Sequence, residues 1–192
     1  MERSLAPPVR ARGRPCINVD LPPAGLTVYR QRDEPCMLVG GEQAWLGQVV
    51  GGLCPGDLVV LTGDHDLAAM LSTQVAVALG VLGRRTLVFA VTTAPLALVG
   101  RVRALTADWQ SDDARRATVS IDVTPEAADL RDLRMLLGTA IDPRIGAHRG
   151  TSMVVLDRIV AGGRVKAAAR AEEDLGECHR VCRNTGAVLF AL

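Results

Sequence analysis

The sequence predicts an α/β fold, a mostly parallel sheet with helices on both faces. Three observations carry that expectation. From residue 42 onward, segments of strand character alternate with segments of helical period. The strand segments are near-continuous apolar runs, the pattern of strands buried on both faces. Hydrophobic residues make up 48% of the 192 residues and aromatics only 3%, so the core must be built from Ala, Val and Leu, the composition of helix-on-sheet packing.

In chain order, residues 1–35 hold six of the ten prolines and six arginines without a sustained period, which predicts a flexible segment. Within it, Val19, Leu21, Leu26, Val28 and Tyr29 offer at most a short edge strand. Residues Glu42 to Val50 read as a helix ended by Gly51-Gly52, Asp57 to Leu61 as a buried strand, and Leu67 to Leu82 as a helix stopped by Gly83. Thr86 to Val91 is the next strand, and Pro95 to Thr106 a helix with proline in its first turn. A strand follows at Thr118 to Val123, and Thr124-Pro125-Glu126 opens a helix running to about Leu137. Ser152 to Leu156 is a strand, Ala167 to Arg183 a charged amphipathic helix, and Ala187 to Leu192 the last strand.

The most informative stretch is Gly56 to Leu82, in which an apolar strand runs through a polar loop, Thr62 to Asp66, into a long apolar helix. Such a junction aims helix N-terminal amides at an anion. The lysine that would grip a phosphate is missing: the chain has one lysine, Lys166, about a hundred residues away. His65 between Asp64 and Asp66 has two readings, a general base or metal ligand and a simple capped helix start in which Asp66 caps Leu67 onward. The second is the expectation. Ser72 and Thr73 sit inside the helix with no lysine before them, so neither serves as a phosphate-side hydroxyl.

The order of pieces resembles the RecA-fold ATPase core of the DnaB-type bacterial replicative helicases. Gly51-Gly52-Leu53-Cys54-Pro55-Gly56-Asp57-Leu58 resembles that family's lead into its first core strand, and Leu87 to Thr93 its second strand. Ser120-Ile121-Asp122-Val123-Thr124-Pro125 with Leu130-Arg131 resembles its IDDTP…LR segment, and Met153 to Asp157 its Walker B strand. Glu172 to Leu192 fits the helix and strand that follow. The resemblance implies a RecA-like P-loop NTPase fold over residues 36–192 and a degenerate phosphate loop at Gly63, Asp64, His65, Asp66, Leu67, Ala68, Ala69 and Met70. An ungapped overlay puts the Walker glycine, lysine and hydroxyl on Ala68, Ala69 and Met70, and the water-activating glutamate on Thr92. Asp157 alone keeps its family identity, as the magnesium-side aspartate.

Two energetic terms then oppose nucleotide binding. Asp64 and Asp66 would repel a triphosphate by roughly 4 kcal/mol per charge pair at 4 Å and an effective dielectric near 20. Each charge-assisted hydrogen bond lost with the lysine is worth roughly 1.5–3 kcal/mol. The family's sensor, DNA-contacting loops and arginine finger follow the last matched strand, and its primase-binding domain precedes the core. The resemblance reaches none of them, so a processive helicase is not expected. The expected function is a non-hydrolysing interaction subunit linked to DNA replication or repair, without nucleotide, metal or other cofactor. The alternative is a helicase-like ATPase that binds ATP and magnesium and is completed by a partner subunit.

Other features bound the partners. The formal net charge of +1 supplies no global field to draw nucleic acid or an anionic membrane, so any such contact must be local. Arg10, Arg12 and Arg14 are candidate DNA contacts, although a solvated tail is the simpler reading. Gly146 to Gly150 with Arg149 reads as a plain helix-to-strand connection or an anion-binding turn, and Trp45 and Trp109 as packing or interface anchors. The apolar runs at 67–82 and 86–100 are too short to span a bilayer, and no membrane contact is expected. Five cysteines form no CxxC pair and the N-terminus carries no signal peptide, which predicts a reduced, cytoplasmic protein. Cys178 and Cys182 flank His179 four residues apart, yet a zinc site lacks its remaining ligands nearby, so two partly buried free thiols are expected.

Overall fold

A computed structural model describes residues 15–21, 24–30, 52–89, 94–107, 119–122, 130–156 and 165–192. The strands are β1 (Pro15–Leu21), β2 (Ala24–Tyr29), β3 (Leu58–Gly63), β4 (Arg85–Phe89), β5 (Val119–Asp122), β6 (Thr151–Leu156) and β7 (Val188–Ala191). The helices are α1 (His65–Val81), α2 (Pro95–Leu105), α3 (Leu130–Ala140) and α4 (Val165–Thr185). All seven strands join one sheet in the order β1-β2-β3-β7-β6-β4-β5. The last five in that order run parallel, and β1 and β2 add to β3 as an antiparallel hairpin.

The inner strands are largely apolar because successive residues serve two cores. In β6, Met153 and Val155 join one cluster while Val154 and Leu156 join the other; β7 does the same with Val188 and Phe190 against Leu189 and Ala191. Val75, Ala76 and Leu79 of α1 and Leu98 of α2 close the first cluster. Leu137 of α3 and Leu175, Cys178 and Cys182 of α4 close the second. The sheet is therefore covered on both faces, as its sequence pattern demands.

The hairpin is the main departure from the sequence reading. Where that reading allowed one short edge strand in a flexible segment, β1 pairs with β2 and β2 with β3, burying Leu26 and Val28. The pairing Leu61↔Leu26, Thr62↔Gly25 and Gly63↔Ala24 carries β3 two residues past its apolar run. Gly63, at φ 102, then lets the chain leave the sheet abruptly. The helix foreseen at Glu42 to Val50 lies outside the described residues, as do Trp45 and Trp109.

A compact polar knot closes the opposite end of β3. Asp57 is 1% exposed just before β3, and its carboxylate faces the Arg30 guanidinium that follows β2. Arg30 Nε donates to both carboxylate oxygens at 3.2 Å, and Nη2 donates to Asp57 Oδ2 at 2.8 Å and to the Gly52 carbonyl at 2.6 Å. The Cys54 amide donates to the same Oδ2 at 2.8 Å. On the other side, His179 of α4 reaches the Gly56 carbonyl through Nε2 at 2.8 Å. Gly56 itself sits at φ +84 against Arg183, so a side chain there would be strained as well as crowded. Hairpin, central strand and last helix are thus tied at one point.

Burial of His179 lowers its pKa from 6.5, with the Arg183 charge acting the same way and the Gly56 carbonyl and Asp57 opposing. The neutral ring is the folded form, so the unfolded chain takes up the proton first. Its contribution is intact above the unfolded pKa near 6.5 and is lost as pH falls from there toward the lower folded value. Urea midpoints are expected to drop between pH 7 and pH 5, and His179→Gln is expected to flatten that part of the profile. An unchanged slope in the variant would remove His179 from the acid response.

Candidate functional site

The carboxyl edge of the parallel strands is where an α/β sheet presents its site, and the β3–α1 junction lies on it. The junction is a single residue. Gly63 ends β3, Asp64 caps, and His65 already belongs to α1. Asp64 Oδ1 accepts the Leu67 amide hydrogen at 2.9 Å, while the Asp64 carbonyl accepts from Ala68 N at 3.0 Å. The N-cap is therefore Asp64, not Asp66 as the sequence reading had it. Asp66 sits in the first turn of the helix and pairs with Arg101 of α2 at 3.1 Å.

The residues expected to form the phosphate loop fall on the end of β3 and the start of α1. Gly63 is strand, and His65, Asp66, Leu67, Ala68, Ala69 and Met70 are all helical. Ala68 and Ala69 are 3% and 2% exposed, facing the core beyond the first turn, and only Met70 is turned to solvent, at 42%. Ser72 and Thr73 both donate their hydroxyls to the Ala69 carbonyl, at 3.0 and 2.6 Å, and so are spent inside the helix.

The electrostatic argument also changes in size. Asp64 is exposed, and the Asp66 side chain is 88% exposed beside the Arg101 cation. In water-like surroundings the repulsion between unit charges at 4 Å shrinks to about 1 kcal/mol. The Asp64 carboxylate itself accepts one of the first-turn amides of α1, that of Leu67.

No group of three or more His, Cys, Asp or Glu among the described residues is arranged to hold a metal ion. His179 turns away from the cysteine pair to meet Gly56, and Cys178 and Cys182 are fully buried in the second core cluster. Burial, with Asp174 nearby, pushes the Cys178 thiol up to about 12, and burial raises Cys182 as well. Both stay protonated and unreactive at neutral pH. The 146–150 turn is a closed connection: Gly146 N donates to Asp142 O and His148 N to Ala140 O, each at 2.8 Å. Asp157, Thr92, Arg10, Arg12 and Arg14 lie outside the described residues. The sequence reading missed the Arg30–Asp57–His179 knot; an aspartate directly before a wholly apolar strand was its one local signal.

Strand order, two-sided helix cover and the placement of the β3–α1 junction define a RecA-like α/β protein. Among solved structures the chain is similar to the RadB recombinase: the crystal structure superimposes with a TM-score of 0.53 at 21% identity, over 76% of this chain and 65% of that one. The chain thus spans just under two thirds of that protein, and the likeness speaks for the fold alone. No protein-family model matches the sequence, and neither does any curated protein. Among the described residues, no helix is long and apolar enough to cross a membrane.

Proposed function

We propose that this protein is a RecA-fold interaction subunit that does not hydrolyse nucleotide, derived from a DnaB-type helicase core and serving a DNA replication or repair assembly. One observation carries the reading: Asp64 caps α1 with its own carboxylate across a one-residue connection, where a nucleotide-binding relative needs a loop, a lysine and open amides. The sheet, both cores and the helix faces are retained. What remains is a scaffold whose surfaces bind a protein partner or another copy of the chain.

Calorimetric titration with ATP and ADP, with and without magnesium, tests this. No binding heat in the micromolar range is expected. A micromolar Kd would overturn the reading in favour of an ATP-binding, partner-completed ATPase.

A further inference from the structure

The edge of the sheet opposite Asp64 carries a second feature, on two turns that lie side by side. The α1–β4 turn presents Leu82, Arg84 and Arg85, and the α3–β6 turn presents Arg144, Ile145 and Arg149; all six residues are exposed. Strands β4 and β6 are neighbours, with Arg85 opposite Thr151, and Arg85 Nη1 donates to the Arg149 carbonyl at 3.2 Å, joining the turns. Leu82 is 51% and Ile145 79% exposed. None of the four arginines is in an ion pair with a described residue. The one acidic side chain in these turns, Asp142, accepts from the Arg144 and Ile145 amides at 2.7 and 3.3 Å and so holds its own loop in shape.

Each turn therefore repeats one composition, an aliphatic side chain near two guanidinium groups that form no ion pair among the described residues. We propose that this edge is a peripheral docking surface for an anionic lipid bilayer. The arginines meet headgroup phosphates, with the fork geometry that guanidinium offers. Leu82 and Ile145 enter the boundary between headgroups and acyl chains. A nucleic-acid backbone matches the arginines but gives the two aliphatic side chains no apolar partner, and the one ring in these turns, His148, is half-buried. Asp64 and Asp66 sit at the far edge of the sheet, so the charge separation turns them away from the lipid. A net charge of +1 conceals this arrangement.

The test is co-sedimentation of the full chain with vesicles of phosphatidylglycerol and phosphatidylcholine in equal parts, and with phosphatidylcholine alone. Binding that requires phosphatidylglycerol is expected. Arg84→Gln with Arg149→Gln should weaken it about thirtyfold. Leu82→Ser with Ile145→Ser should weaken it about tenfold while leaving any binding to duplex DNA unchanged. All four substitutions fall on exposed side chains, and matching urea midpoints would establish that the variants fold. Absence of phosphatidylglycerol-dependent binding overturns the proposal. So does a result in which the arginine pair governs duplex binding and the serine pair leaves vesicle binding untouched, which would make the edge a nucleic-acid surface. The six side chains lie away from the β3–α1 junction, so either outcome is separable from the nucleotide titration.

Discussion

Asp57→Ala is expected to destabilise the protein by about 3–5 kcal/mol, because it breaks a buried, hydrogen-bonded ion pair. The side chains of Arg30 and Asp57 are 11% and 2% exposed, and their contact at 2.8 Å is backed by the Gly52 carbonyl and the Cys54 amide. Removing the carboxylate takes away the oxygens that Arg30 meets at 2.8–3.2 Å and the one that the Cys54 amide meets at 2.8 Å. The surface pairs offer a contrast. Arg101–Asp66 and Arg180–Glu177 each include a largely exposed partner, and such pairs contribute about 0–1 kcal/mol. Urea unfolding followed by circular dichroism measures the difference. Replacing both members by apolar residues, Arg30→Met with Asp57→Leu, should recover part of the loss, as buried pairs generally allow. A single-variant loss under about 1 kcal/mol would mean that water compensates the site.

Ala69→Lys is expected to cost about 3 kcal/mol or more and to restore no nucleotide affinity. By the sequence overlay this substitution rebuilds the phosphate grip. In the folded chain, however, Ala69 is 2% exposed and faces the core cluster side of α1, with its carbonyl already taken by Ser72 and Thr73. A lysine at so buried a position must give up the hydration of its ammonium. Thermal unfolding combined with ATP titration decides between the two views. A stable variant with micromolar affinity would mean that α1 begins later than His65 and that a phosphate-wrapping loop exists after all.

The contrast between those two views shows what could be read locally. Most elements from β3 to β7 were legible to within one or two residues: Pro95 to Thr106 was expected as a helix and Pro95–Leu105 is one, whereas the helix expected to end near Leu137 runs on to Ala140 and its expected start lies outside the described residues. Their strands are apolar runs and their helices carry stop signals, so local chemistry decides. Where tertiary pairing decides, the sequence was silent. Pairing with β2 draws Thr62 and Gly63 into β3, which moves the start of α1 and leaves Asp64, rather than Asp66, as the cap. The same holds for Arg30 and Asp57, 27 residues apart and brought together only by the hairpin. Proline and arginine dominate the composition around that hairpin and hide the alternation of Leu26 and Val28 beneath it.

The antiparallel ribbon has a practical corollary for anyone shortening the polypeptide. A recombinant fragment starting after Arg30 would lack β1 and β2, and Leu58–Gly63, which pairs with β2 on that side, would become a raw margin with unmatched amides and carbonyls. It would also lose the guanidinium that neutralises Asp57. Such a fragment would invite sticking between chains, so the leading residues act as a built-in guard against aggregation.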